Sequence, residues 1–240
     1  MTSFVPPARR PLPIFLIADT SGSMKGEKIA TLNHAIRTMM SELGELADVR
    51  GDVQVALITF GAEPRLIQSL TPANQANIPE LNAEGKTPLG GALELVSAII
   101  EDDLSLPLRA FAPSLVLMSD GAPTDLPEEL KVRVANGRAN RNDFLAWEPI
   151  AALHRGRRGR TAQRLALSIG AGDVEAPTHA LLEAFINTPG IPVVHAADTG
   201  GISRFLRWVT LSVASRTLSR DPNVPVLPSL DPFENNELIF

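Results

Sequence analysis

The chain has 240 residues, of which 44% are hydrophobic and 20% charged, and its formal net charge is −5. This length and hydrophobic content allow one sizeable core, so we expect a single α/β domain. The negative charge argues against general nucleic-acid binding, which needs a concentrated basic face. The absence of cysteine excludes disulfides, thiol catalysis and zinc–thiolate sites. No apolar run is long enough to span a bilayer, and we expect a cytoplasmic protein without membrane contact.

Short apolar runs alternate with helical periodicity in the N-terminal part. Residues 14–18 are apolar at successive positions, which predicts a strand buried on both faces of a parallel sheet. Asp19 interrupts this run early and prolines lie at its start, which favours a core strand over a signal peptide. Apolar residues recur every three or four positions over 24–46, which predicts an amphipathic helix. Further along we predict a strand over 53–60, a short edge strand over 65–70, a loop around 85–88 and a helix over 90–101.

The second part of the chain continues the alternation of strands and helices. Residues 114–118 predict another buried strand, which ends in Ser119-Asp120-Gly121. Alternation of this kind favours a doubly wound sheet with helices on both faces. The remaining predicted elements are strands over 164–169 and 191–195 and helices over 178–186 and 202–216.

Two stretches do not fit the repeat. Residues 126–163 are long for one crossover, and we predict helical pieces joined by a basic loop there. This loop belongs to a basic segment over 138–164. Its arginines fit either a solvated loop or a docking patch for an acidic or phosphorylated partner. The prolines in the tail predict that it lacks regular secondary structure. We therefore divide the chain into an N-terminal extension (1–9), one domain (10–219) and a proline-rich tail (220–240).

Asp19-Thr20-Ser21-Gly22-Ser23 places one acid and two hydroxyls in a tight loop between a strand and a helix. Asp120 follows another predicted strand, and in an open α/β sheet such strand ends meet at one crevice if the strands are neighbours. We expect the loop before the helix over 90–101 to bring Thr87 to the rim of this crevice. Three hydroxyls and two carboxylates are hard oxygen ligands that suit Mg²⁺ with several retained waters. Mn²⁺ and Ca²⁺ accept the same ligands.

An ion held mainly by hydroxyls is incompletely neutralised by its ligands. It would therefore attract an anionic oxygen, such as a Glu or Asp side chain from another protein. One of the chain's own acids, such as Glu84 or Asp125, is an alternative source of this last ligand.

Asp19-Thr20-Ser21-Gly22-Ser23, Thr87 and Asp120-Gly121 together resemble the metal-ion-dependent adhesion site of von Willebrand factor A domains. The resemblance covers roughly residues 10–218 by element order. It implies a Rossmann-like, mostly parallel sheet with one antiparallel edge strand. It also implies direct metal contacts from Ser21, Ser23 and, in some states, Thr87, with Asp19 and Asp120 often acting through water.

A narrower resemblance is to the bacterial tellurium-resistance (TerY-like) branch of the same family. It lies in Arg10-Pro11-Leu12-Pro13, in Thr87-Pro88-Leu89-Gly90 and in the six residues 120–125. This branch implies a bacterial stress-response setting, often beside protein kinases and phosphatases. The expected function is then a non-enzymatic, metal-dependent protein-interaction module.

Other functions fit the same residues less well. Asp19 as a phosphatase nucleophile lacks the second acid of that motif, because Ser21 stands in its place. A serine nucleophile would need a base, and the four histidines have no evident partner. A hydrolase that uses the ion as a Lewis acid is the main alternative. The plainest alternative is that Ser23 only caps the helix that follows.

Overall fold

The structure, a computed structural model, describes residues 10–50, 52–170, 176–187 and 190–224. Within these residues six strands form one sheet in the order β3-β2-β1-β4-β5-β6. The strands are β1 (Pro11–Asp19), β2 (Asp52–Phe60), β3 (Arg65–Pro72), β4 (Ser114–Ser119), β5 (Gln163–Ile169) and β6 (Val194–Ala196). The α-helices are α1 (Glu27–Arg50), α2 (Leu89–Glu101), α3 (Glu128–Ala135), α4 (Arg141–Leu145), α5 (Glu148–Arg155), α6 (Ala176–Phe185) and α7 (Thr199–Leu218).

All described strand pairs are parallel except β2 with β3 at the sheet edge, which is antiparallel. This confirms the predicted doubly wound sheet with one antiparallel edge strand. No helix in the described part of the chain is long and apolar enough to cross a membrane.

Strand β1 lies in the middle of the sheet and is buried along its whole length. Its alternate side chains face opposite sides, as the pleat of a strand requires. Ile14 and Leu16 join a core with α1 and α7, while Phe15 and Ile17 join a second core with α2, α5 and α6. The continuous apolar run at 14–18 therefore reflects helices packed on both faces of the sheet.

Several element boundaries differ from their predictions. Helix α1 begins at Glu27 rather than at residue 24, because a short 3₁₀ turn occupies Gly22–Met24. Gly26 then adopts a left-handed conformation with φ of +82°, which a helix does not allow. Strand β6 is shorter than the predicted strand over 191–195 and pairs only beside Leu167–Ile169 of β5.

The long segment after β4 contains the predicted helical pieces, namely α3, α4 and α5. Several arginines in or next to it contact the rest of the domain. Arg157 donates to Asp103 Oδ1 at 2.6 Å, and Arg158 donates to the carbonyl of Ile100 at 2.7 Å. Arg164 in β5 is fully buried and donates to the carbonyl of Phe185 at 3.0 Å. The solvated-loop interpretation is wrong for Arg164.

The first residues of the predicted tail pack on the domain. Helix α7 ends at Leu218, and no strand or helix occurs over 219–224. Buried Arg216 donates to the carbonyls of Pro222 and Ala112, each at 2.7 Å. Asn223 Oδ1 accepts the backbone N–H of Ala112 at 2.9 Å. The predicted extension (1–9) and the remainder of the tail (225–240) lie outside the described residues.

Candidate metal-binding site

The site residues lie at the carboxyl ends of β1 and β4, which are neighbours in the sheet. Ala18 pairs with Met118, so Asp19 and Asp120 leave their strands at the same edge. From β1 the chain continues to β2 on one side, and β4 lies on the other, which makes this edge the switch point of the sheet. The prediction that the two carboxylates share one crevice required β1 and β4 to be neighbours, and the sheet order shows that they are.

A chain of hydrogen bonds connects four of the five predicted residues. Ser23 Oγ donates to Asp120 Oδ1 at 2.7 Å. The hydroxyl oxygens of Ser21 and Ser23 are 2.9 Å apart, and the backbone N–H of Ser21 donates to Asp19 Oδ1 at 2.8 Å. Ser23 does not cap α1, which starts four residues later at Glu27. The cap-only interpretation of this loop is therefore wrong.

Asp19 is a buried carboxylate with 0% exposure. Its Oδ2 accepts from the Ser119 hydroxyl at 2.8 Å, so both of its oxygens have partners. Burial raises the pKa of Asp19, and the hydrogen bonds from Ser21 and Ser119 oppose that rise. The nearby Asp120 carboxylate raises this pKa further. An added cation at this edge would offset the unfavourable burial of the charged form.

Thr87 is buried, and its loop reaches the site through the backbone. The N–H of Gly22 donates to the carbonyl of Gly85 at 3.0 Å, which joins the serine loop to the Thr87 loop. Thr87 exchanges two hydrogen bonds with Thr124: its N–H donates to Thr124 Oγ1, and its carbonyl accepts the Thr124 N–H. Within the described residues, the Thr87 hydroxyl is not a member of the hydrogen-bonded chain above. The structure thus brings the Thr87 loop to the rim without joining its hydroxyl to the other four residues.

Three residues that support the site were not predicted from the sequence. Ser119 is the last residue of β4, and its hydroxyl donates to Asp19. In the sequence, only its position directly before Asp120 could have indicated this role. Thr124 fixes the Thr87 backbone. Lys28 Nζ lies 2.6 Å from Asp120 Oδ2. Helical periodicity marks such a lysine as a solvent-facing residue, so the pattern gave no reason to select it.

Other candidate groups lie elsewhere or have other partners. Asp125 Oδ2 accepts the backbone N–H of Gly91 at 2.9 Å and so stabilises the start of α2. His154 Nε2 lies 3.0 Å from the carbonyl of Ala184, and the rings of His179 and His195 stack on each other. His34 lines a groove between α1 and α7. None of these described contacts places a histidine beside the site serines.

The donor set consists of hydroxyls and two carboxylates rather than a cluster of acids or histidines. The described residues contain no group of three or more His, Cys, Asp or Glu that could hold a metal ion. Hard oxygens suit Mg²⁺, which keeps several waters and needs few charged protein ligands. The residues present therefore fit a hydrated Mg²⁺ better than zinc or another ion that prefers nitrogen or sulfur.

Comparison with known sequences gives one family match. Residues 14–122 match the sequence model of the von Willebrand factor type A domain, and this range contains all five predicted site residues. No curated protein matches the chain in sequence.

Solved structures similar to the chain include three from different organisms. The von Willebrand factor domain of the type V pili tip protein Mfa5 from Porphyromonas gingivalis has a TM-score of 0.60 at 10% identity, covering 85% of this chain and 96% of that one. The ArnB paralog VWA2 from Sulfolobus acidocaldarius has a TM-score of 0.58 at 14% identity, covering 85% and 46%. The pilus adhesin SpaC from Lactobacillus rhamnosus GG has a TM-score of 0.63 at 14% identity, covering 87% and 30%.

This chain thus spans nearly the whole of the first structure but less than half of the other two. At these identities the likeness concerns the fold. Together with the matched range and the sheet order, it leads to one conclusion: the chain has the von Willebrand factor type A fold, and residues 14–122 carry the sequence pattern of that family.

Proposed function

We propose that this chain is a non-enzymatic protein-interaction module in which Mg²⁺, or Mn²⁺ or Ca²⁺ in its place, captures an acidic side chain of a partner protein. The observation that carries the proposal is the hydrogen-bonded chain of Asp19, Ser21, Ser23 and Asp120 at the switch point of the sheet. Ser21, Ser23 and Thr87 would be direct ligands. Asp19 and Asp120 would hold the ion through water. When bound, the ion supplies a Lewis-acidic position for a partner carboxylate.

The surroundings of the site support binding over catalysis. Both Asp19 oxygens already accept hydrogen bonds, which leaves this carboxylate poorly suited to act as a nucleophile or base. The histidine contacts described above lie away from the serines. A hydrolase would need a group that activates water, and the described contacts of the site supply no evident one.

The setting of the module is also a proposal. The segments that resemble the TerY-like branch favour a bacterial stress-response or tellurium-resistance-type system, with a kinase or phosphatase of that system as the partner. The absence of cysteine is consistent with a cytoplasmic location. Two of the similar structures are a pili tip protein and a pilus adhesin, and an interaction role for this chain agrees with the presence of an adhesin among them.

The proposal is tested by a binding series with a matched control. Ser21→Ala removes a proposed ligand, whereas Ser69→Ala removes an exposed serine on the edge strand β3. Calorimetry should detect Mg²⁺ binding by the wild type and Ser69→Ala, with at least tenfold weaker binding by Ser21→Ala. Affinity capture should recover the same partner with both metal-binding proteins, and EDTA should abolish it. Capture that is unchanged by EDTA, or metal-dependent phosphate-ester hydrolysis that Ser21→Ala removes, would contradict the proposal.

A further inference from the structure

Lys28 places a positive charge directly on the site. It is the second residue of α1, and its Nζ contacts Asp120 Oδ2 at 2.6 Å. The Asp120 side chain is fully buried, while that of Lys28 is 32% exposed. The lysine therefore reaches from the helix surface onto a carboxylate that has no contact with solvent.

Both oxygens of Asp120 are engaged by this chain. Oδ1 accepts from the Ser23 hydroxyl at 2.7 Å, and Oδ2 accepts from the Lys28 ammonium. An ammonium at hydrogen-bond distance neutralises much of the attraction that a carboxylate offers to a second cation. Because the pair is largely shielded from water, its electrostatic effect is screened less than that of a surface pair.

We propose that Lys28 is a resident cation that competes with the divalent ion for Asp120 and so sets a weak metal affinity. The inference rests on the proposed function, since it concerns the same site. Removing a ligand should then weaken metal binding, whereas removing Lys28 should strengthen it. A lysine that merely orients Asp120 for the metal would have the opposite effect.

Lys28 also affects the charge of the loaded site. Two carboxylates, one ammonium and one divalent ion leave a single excess positive charge. A partner carboxylate neutralises that excess, whereas the same site without the ammonium is neutral before the partner arrives. Lys28 would therefore weaken the binding of the ion and strengthen the subsequent binding of an acidic ligand.

The test is a titration of the full chain with MnCl₂ and MgCl₂ for the wild type, Lys28→Met and Lys25→Met. Methionine keeps the length and helix propensity of lysine while removing its charge. Lys25 is exposed and only three residues away, so Lys25→Met makes the same change in net charge without the Asp120 contact. Lys28→Gln serves as a second variant if Lys28→Met unfolds. Calorimetry gives the affinity, and the paramagnetic signal of free Mn²⁺ gives an independent readout.

We expect Lys28→Met to bind both ions at least tenfold more tightly than the wild type, equivalent to about 1.4 kcal/mol, with Lys25→Met within twofold of the wild type. Acetate added to the Mn²⁺-loaded proteins should bind more weakly to Lys28→Met. Equal or weaker metal binding by Lys28→Met, with the wild type binding normally, would overturn the role of Lys28 alone. An absence of binding to all three proteins would instead overturn the proposed function, and this inference with it.

Discussion

Gly61, directly after β2, offers a sharp test of how the site is held together. A Cβ added there would lie 2.5 Å from the carbonyl oxygen of Thr20 and 2.7 Å from that of Glu84. The same Thr20 oxygen accepts the Glu84 N–H at 2.7 Å, a bond that ties the end of β1 to the loop carrying Thr87. Both obstructing atoms belong to the backbone, so no side-chain rotation relieves the clash. Gly61→Ala must push the two segments apart.

The expected loss of stability follows from these contacts. Overpacking in a rigid environment lowers the free energy of unfolding by about 1–3 kcal/mol. A broken backbone hydrogen bond adds about 0.5–1.5 kcal/mol. We therefore expect Gly61→Ala to lower the free energy of unfolding by about 2–4 kcal/mol, which lowers Tm by roughly 5–15 °C for a domain of this size.

Gly121→Ala is the matched control because Gly121 also borders the site, next to Asp120. A Cβ at Gly121 meets nothing within 4 Å. This variant should change the free energy of unfolding by less than about 0.5 kcal/mol. Urea and thermal denaturation in EDTA measure both variants without any contribution from a bound ion. Equal stabilities of Gly61→Ala and Gly121→Ala would refute the reasoning.

Three further predictions concern charge. Asp19→Asn should raise the free energy of unfolding in EDTA at pH 7 by at least about 1 kcal/mol, because burial raises the pKa of Asp19 and the charged form is unfavourable. The folded wild type binds a proton at Asp19 more readily than the unfolded chain does, so its stability should rise relative to this variant as pH falls. A stability difference that stays constant in denaturation between pH 7 and pH 4 would contradict this prediction. Ser119→Ala should lower the free energy of unfolding at pH 7 by about 1.5–3 kcal/mol, because a buried hydrogen bond to the Asp19 carboxylate is lost. The loss should be smaller at acid pH, and an equal loss at every pH would count against this prediction. Arg158→Ala should lower the free energy of unfolding by about 1–2 kcal/mol, because the hydrogen bond to the Ile100 carbonyl is lost. Arg160 is exposed, so Arg160→Ala should be nearly neutral in the same urea titration. The reverse order of stabilities would contradict a structural role for Arg158.

Much of the site could be predicted from local sequence because each of its parts ends or begins an element. Asp19 follows a run that is apolar at every position, which is typical of a strand covered on both faces. Asp120 follows a second such run. Parallel strands place these ends at one edge, so two distant acids could be assigned to one crevice. The alternation of periodicities likewise predicted the order of the main helices and strands.

Boundaries and supporting contacts could not be predicted in this way. The start of α1 depends on the left-handed conformation of Gly26, which periodicity does not show. Arg164 looked like part of a solvated basic segment, yet the fold buries it and surrounds it with backbone carbonyl oxygens. A buried arginine of this kind is defined by acceptors far away in sequence. Its pKa is lowered to about 10 by burial, so it remains charged at neutral pH.

The sequence by itself determined the fold class and the oxygen-rich composition of the candidate site, because strand burial, helix periodicity and the placement of Asp19, Ser21 and Ser23 are local properties. The tertiary structure alone decided that β1 and β4 are neighbours, that Ser119 holds Asp19, and that Lys28 lies on Asp120. These contacts join residues that are about one hundred positions apart. The physical reason is that such contacts depend on which strands pair and on how α1 packs across them, and neither is encoded in any one segment.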